Sequence, residues 1–470
     1  MNAPADELAR RFAALRAAHA HDPYPNARIR RDRLARVLAI VREREDEFVA
    51  AIDRDFGHRS SHETRLAELY IVASSARHAM REIGRWMRPR RVATPLHLRP
   101  GRAYVVPQPL GVAGVVSPWN YPVQLALAPA IAALAAGNRV MLKPSEVTPA
   151  TSALLAQAIG ARFAPDEFAV VTGGPETGAA FSRVPFDHLF FTGSTAVGRR
   201  VAMAAAENLV PVTLELGGKS PAIVDASADL ALVAPRLAVG KLLNAGQTCI
   251  APDYALVPAA RVDAFVDAMR EAVGALYPDP LRGDDYTSIV DERHYARLVA
   301  LIDDARAQGA RIVTLPAGAA PDAATRRIPP TLIVGVTDAM AVMREEIFGP
   351  LLPIEAYATL DDAIAAVARR PHPLALYAFG LSGRSRECLL RETMAGGVTL
   401  DDTLWHFAHE ALPFGGVGAA GYGSYHGEAG FRTFSHEKSV FVQSRLSAAR
   451  LLYPPYGPRF EKVLSLLKRL

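Results

Sequence analysis

From Val112 onward, short apolar runs alternate with helical ones, and this alternation constrains the fold more than any other feature of the chain. Val112 to Val116 reads as a buried strand. Gln124 to Ala136 reads as a helix closed by Gly137-Asn138, and Arg139 to Lys143 as the next strand. Further helices are expected at 150–161 and Ala196 to Glu207, with strands at Phe168 to Val171, His188 to Phe191 and Pro211 to Leu214. Apolar strands joined through helices predict a parallel, doubly wound sheet, because parallel neighbours need long crossovers and both faces covered.

A second α/β series begins near Ser220. It runs through Ala222-Ile223-Val224, a helix at about 228–244, Tyr254 to Val257 and a helix at about 261–275. A loop rich in Ala and Pro (about 315–330) precedes strand-like Ile333-Val334, Ile354 and Leu374 to Ala378. Upstream, one amphipathic helix is expected over about 27–54 and a helical run over about 63–87. Pro89, Pro95, Pro100 and Pro107 then punctuate an extended excursion containing Ala103 to Val106. Phe414 to Gly430 is glycine-rich, and about 459–470 reads as a short amphipathic helix.

With 470 residues, half of them hydrophobic, the chain can bury sizeable cores, which excludes a disordered tail or a disulfide-stapled miniprotein. Charge is nearly balanced, 53 basic against 48 acidic residues, without long runs of one sign, so no nucleic-acid partner is expected. Only Cys249 and Cys388 could ligate through sulfur, and no His/Cys/acid spacing suggests a metal. The N-terminus lacks an apolar signal region, and the most apolar stretch, Val123 to Ala136, is too short to cross a bilayer. The expectation is a soluble cytoplasmic protein with no membrane partner.

Several residues stand out chemically. Cys249 follows a helix in the polar turn Asn244-Ala245-Gly246-Gln247-Thr248-Cys249, a setting open to a nucleophile or a structural thiol. Cys388 sits in a helical pattern and reads as structural. Glu215 ends a strand between Leu214 and Leu216, before Gly217-Gly218-Lys219; it is either a loop carboxylate or a general base raised by apolar walls. Asn120, in Pro118-Trp119-Asn120-Tyr121-Pro122, is a turn residue or an amide aimed at an oxyanion. Thr192-Gly193-Ser194-Thr195-Ala196-Val197-Gly198 is a strand–turn–helix that can admit a phosphate to a helix N-terminus. Lys143-Pro144-Ser145-Glu146 follows a strand and suits a nucleotide's charge and ribose, or is an ordinary polar loop. Glu346 and Phe348 could clamp a ribose and a nicotinamide ring, or form a plain turn. Only six basic residues are lysines, which makes Lys143 and Lys219 worth notice.

These motifs, in this order from about residue 30 to residue 442, resemble the NAD(P)-dependent aldehyde dehydrogenase superfamily. The matching stretches are Pro118-Trp119-Asn120, Lys143-Pro144-Ser145-Glu146, Phe191-Thr192-Gly193-Ser194, Leu214-Glu215-Leu216-Gly217-Gly218-Lys219, Gly246-Gln247-Thr248-Cys249, Glu346-Ile347-Phe348-Gly349-Pro350 and Pro413-Phe414-Gly415-Gly416. Gln247 to Tyr254 and His426-Gly427 with Phe434 to Lys438 look like the class 3 branch. Asp55 to Ser60 and Leu452 to Gly457 are similar to bacterial coniferyl aldehyde dehydrogenases. Ala420 departs from the class, which usually has Ser there.

The resemblance implies a Rossmann-type NAD(P)-binding domain (1–88 and 108–214), a catalytic domain (215–424), a small β oligomerisation element (89–107 and 425–450) and a tail (451–470). It implies Cys249 as nucleophile, Asn120 as oxyanion donor and Glu215 as base for deacylation. It implies NAD or NADP held by Trp119, Lys143, Ser145, Glu146, Gly193, Ser194, Gly198, Leu216, Gly217, Glu346 and Phe348. The substrate would be a small-molecule aldehyde, coniferyl aldehyde or a medium- or long-chain aliphatic one, and the assembly a homodimer. Tyr121, Thr248, Ile250, Trp405 and His406 would border the aldehyde tunnel. A thioester or ester hydrolase using Cys249 and Glu215 without a dinucleotide is the reading from another class.

Overall fold

Parallel strands must be covered on both faces, and this chain supplies the cover in sequence order. The computed structural model describes residues 3–469; Met1, Asn2 and Leu470, which fall in the segments read above as N-terminus and tail, lie outside it. The first sheet has six strands in the order Gly421–Tyr422, Val212–Glu215, His188–Thr192, Val112–Val116, Arg139–Lys143 and Phe168–Val170. All its pairings are parallel except that of the edge strand Gly421–Tyr422. The earliest of these strands, Val112–Val116, is central and the chain winds outward from it both ways, which is the doubly wound order.

The second sheet has seven strands, ordered Arg311–Thr314, Thr331–Val334, Leu351–Tyr357, Tyr254–Pro258, Pro221–Val224, Ala375–Phe379 and Gly397–Leu400. Only Arg311–Thr314 runs antiparallel to its neighbour. The excursion with four prolines becomes the third sheet: Arg90–Val92, Arg102–Pro109 and Ser435–Val442, all antiparallel. Both edges of this small sheet are largely exposed.

The helix Gln124–Ala136 is buried at every position, as its continuous apolar sequence requires. It is packed by the helices Ala27–Glu43, Ile71–Trp86 and Gly427–Thr433. The single helix expected over about 27–54 is two, Ala27–Glu43 and Glu45–Phe56, parted at Arg44 (φ −116°, ψ 26°). Glu45, Asp46 and Glu47 explain the restart, since acids favour the positive end of a helix. A helix absent from the sequence reading, Ala3–His21, covers the other face of the first sheet with Leu8, Phe12 and Leu15. Among the described residues, no helix is long and apolar enough to cross a membrane.

Candidate active site

Strands Val112–Val116 and His188–Thr192 lie side by side where the winding direction reverses. Open α/β sheets bind ligands outside the carboxyl ends of strands at such a point. Trp119 and Asn120 leave the first strand there, and Gly193 and Ser194 leave the second. Together they line a cleft of about 190 Å3, which Glu215, Leu216, Gly217, Cys249 and Phe348 complete. The cleft therefore gathers residues from both large sheets.

Cys249 owes its position to an unusual turn. After the helix Leu230–Leu242 the backbone is left-handed at Asn244 (φ 54°), Ala245 (φ 51°) and Gly246 (φ 75°). Gly246 is required twice over: its φ favours glycine, and a Cβ there would overlap the Gly349 carbonyl. Gln247 ties the turn down. Its amide donates to the carbonyls of Asn244 (3.0 Å) and Ser288 (3.1 Å) and accepts from the Val290 N–H (3.0 Å). Burial pushes the Cys249 thiol up to about 12, with the Glu346 and Glu215 carboxylates adding to the push. The backbone N–H groups of Cys249 and Ile250 act the other way.

Glu215 ends strand Val212–Glu215 and is 3% exposed, with no partner for either carboxylate oxygen. Burial alone raises its pKa well above the usual carboxylate range. Asn120 is buried; its side-chain Nδ2 donates to the Gln247 carbonyl at 3.1 Å. An amide nitrogen carries two hydrogens, so one N–H remains to face the cleft.

Of the other predicted residues, Ser194 and Phe348 stand in the cleft wall, and Lys143, Ser145, Glu146, Gly198 and Glu346 lie around it. The Glu346 carboxylate occupies the space a Cβ on Gly217 would take. Burial, reinforced by Asp253, lifts Glu346 to about 8, and its Oε1 has no partner. Phe348 has φ 53° and packs edge-on against Trp119, with ring centroids 5.4 Å apart. Gly198 packs under Leu216, where a Cβ would come within 2.6 Å of Leu216 Cδ2. Lys143 and Glu146 pair with each other beyond the end of the neighbouring strand. Between them, Ser145 accepts from the Val147 N–H (3.2 Å). Ser194 caps the helix Thr195–Ala206. Lys219 is spent on the fold: it pairs with Asp253 and donates to the carbonyls of Val342 (2.8 Å) and Glu345 (2.9 Å).

These features fit a dinucleotide. The N-terminus of helix Thr195–Ala206, entered through Gly193-Ser194, stands beside the cleft, and the buried, unpartnered Glu346 oxygen offers an acceptor for a sugar hydroxyl. Three further residues line the cleft unannounced by the sequence reading: Leu125 on the buried helix, and His294 and Arg297 on the helix Glu292–Ala307. The helix itself was readable from Leu298, Leu301, Ile302 and Ala305 behind an Asp291 cap. His294 packs against Trp119 at 4.9 Å, and Arg297 donates to the carbonyls of Glu346 (3.2 Å) and Ile347 (2.5 Å). Of the expected tunnel residues, Tyr121 hydrogen-bonds Thr248 (2.7 Å) and Ile250 is buried. Trp405 is 63% exposed, and His406 is buried against Thr399 and Phe414.

The aldehyde dehydrogenase family model matches residues 3–440. A protein of Pseudomonas aeruginosa named probable coniferyl aldehyde dehydrogenase is 50% identical over 98% of this chain and 96% of its own. The coniferyl aldehyde dehydrogenase of a Pseudomonas species is 46% identical over 98% of this chain and 96% of its own. The solved substrate-bound state of Staphylococcus aureus AldH superposes with a TM-score of 0.93 at 38% identity, covering 97% of this chain and 99% of that one. Near-complete coverage, in sequence and in fold alike, means that the chain belongs to the aldehyde dehydrogenase family and catalyses its reaction, the NAD(P)-dependent oxidation of an aldehyde.

Proposed function

We propose that Cys249 is the nucleophile of this reaction, Asn120 and the Cys249 backbone N–H its oxyanion donors, Glu215 its general base, and coniferyl aldehyde its substrate. The observation that carries this reading is one cleft lined by a thiol, an amide with a spare N–H and a carboxylate whose two oxygens have no partner. The Cys249 thiolate adds to the aldehyde carbonyl, and the oxygen that becomes negative accepts from the two donors. The dinucleotide, when bound, supplies the acceptor for the hydride that leaves the tetrahedral carbon, and a thioester stays on Cys249. Glu215 takes a proton from the water that attacks this thioester, releasing the acid and the thiolate. Its desolvated setting suits the task, because burial raises its pKa and makes it a stronger base than an exposed carboxylate.

Lys143, Ser145 and Glu146 would hold the adenosine ribose, and Gly193, Ser194 and Gly198 the pyrophosphate end. Trp119, Leu216, Gly217, Glu346 and Phe348 would hold the nicotinamide riboside. Residues 215–424 would form a catalytic domain beside an NAD(P)-binding domain of 1–88 and 108–214. The element 89–107 with 425–450 would join two chains as a homodimer in the cytoplasm, followed by the tail 451–470.

The coniferyl assignment draws on the names of two relatives that align over nearly the whole chain. The test is turnover of coniferaldehyde and of hexanal, each with NAD and with NADP, read by the absorbance of the reduced cofactor. A kcat/KM at least tenfold higher for coniferaldehyde, about 1.4 kcal/mol, is expected. The reverse order would reassign the substrate to aliphatic aldehydes.

A further inference from the structure

The segment from Arg59 to Glu68 carries three inward-turned charged groups that the reaction above leaves unused. Arg59 and Glu68 form an ion pair at 3.0 Å with neither side chain exposed. The same Arg59 Nη1 donates to the Asn120 carbonyl at 2.8 Å, and the guanidinium lies over the Tyr121 ring. Glu68 Oε2 accepts from the N–H groups of Val123 (2.7 Å) and Gln124 (3.1 Å), where the buried helix begins. The loop that carries Asn120 is thus gripped at its middle by the arginine and at its end by the arginine's own partner.

Glu63 grips the other loop. Its Oε2 accepts from the Asn244 N–H (2.9 Å), at the first left-handed residue of the Cys249 turn, and from Thr287 Oγ1 (3.1 Å). The Asn244 side chain then donates to two carbonyls, that of Asn120 (3.0 Å) and that of Gln247 (3.2 Å). Asn120 Nδ2 donates to the same Gln247 carbonyl. Asn120, Gln247 and Asn244 therefore close a ring of hydrogen bonds, braced at Asn120 by Arg59 and at Asn244 by Glu63.

One segment reaches both loops because it is not a plain α-helix. Residues Thr64–Tyr70 are π-helical. At 3.6 residues per turn, positions five apart point about 140° away from each other, whereas an i→i+5 helix brings them close to one face. Glu63 and Glu68 are five apart and both turn inward.

We infer that Arg59 and Glu63 are positioning residues of the oxyanion hole: Arg59 orients the Asn120 amide and Glu63 orients the turn that presents the Cys249 N–H. The inference rests on the oxyanion roles proposed above. Three measurements test it on the full-length protein. Acylation of Cys249 by p-nitrophenyl acetate forms an oxyanion before nitrophenolate leaves and the thioester remains. Alkylation of Cys249 by iodoacetamide displaces iodide and forms none. Thermal melting reports the fold. Arg59→Lys and Glu63→Ala are expected to slow acylation tenfold or more and to lower kcat for aldehyde oxidation in the same ratio. KM and alkylation are expected to stay within about twofold of wild type, with Cys388→Ser as background. Glu63→Gln keeps an oxygen for the Asn244 N–H and is expected to recover most of the acylation rate. Alkylation and acylation falling together, or acylation unchanged in both variants, would overturn the inference. Asn120→Ala separates the two levels. If it leaves acylation intact, the oxyanion reading itself fails; if it slows acylation while Arg59→Lys and Glu63→Ala do not, only the bracing role fails.

Discussion

Cys249 enters the reaction at a disadvantage, because burial and two nearby carboxylates hold its thiol at about 12. At neutral pH the thiol form therefore dominates, although the thiolate is the attacking species. The sign follows directly: below its pKa, each unit of pH raises the thiolate fraction tenfold. On a Cys388→Ser background without cofactor, the rate of iodoacetamide alkylation is expected to climb about tenfold per pH unit through pH 9. A plateau at or below pH 9 would show an activated thiol and contradict this environment. Glu215 changes in the same direction, since its basic form accumulates only as pH rises through an elevated pKa. The sequence pointed to both residues, through a thiol in a polar turn and a carboxylate between two leucines. It could not supply the size of the shifts, which depend on the desolvation that the assembled cleft imposes.

At the scale of elements, the cleft is made by turns that neighbouring turns hold in place. The turn Leu216-Gly217-Gly218 and the loop bearing Glu346 share one volume: Gly217 has no Cβ where the Glu346 carboxylate sits. Gly217→Ala is therefore expected to push Glu346 aside and to weaken dinucleotide binding about tenfold, or about 1.4 kcal/mol. Cys249 alkylation should remain near wild type. Titration of NAD against tryptophan fluorescence reads the first quantity, and unchanged affinity would remove Glu346 from the cofactor site. Most strands and helices were legible because apolar periodicity is a local property. The break at Arg44 was missed because apolar spacing continues across it, from Val41 to Phe48 and Ile52. The π-helical stretch Thr64–Tyr70 was missed because i→i+5 bonding leaves no compositional mark.

For the whole molecule, the third sheet is the outlying part. Its edge strand Ser435–Val442 has an open side and exposed Phe441 and Val442. Native proteins seldom leave such an edge uncovered, and pairing with a second chain is one way to cover it. Wild-type protein is expected to sediment at twice the 50.5 kDa chain mass. Val442→Asp, which puts a carboxylate on that edge, is expected to weaken the dimer at least tenfold with little loss of melting temperature. A wild-type mass of one chain at micromolar concentration would rule out the homodimer.

The sequence by itself determined the α/β character, the five parallel strands of the first sheet to within a residue or two, and the family through motifs kept in order. It also marked out residues that the fold gathers into one cleft, among them Trp119, Asn120, Gly193, Glu215, Cys249 and Phe348. Only the tertiary structure decided what stands behind them. Arg59 meets Asn120 across 61 residues of chain, and Glu63 meets Asn244 across 181. It placed His294 and Arg297 in the cleft and turned the conspicuous Lys219 into a brace. The physical reason is range. Periodicity, caps and turns are written in the few residues that make them, whereas desolvation and long-range hydrogen bonds exist only once distant segments have closed on one another.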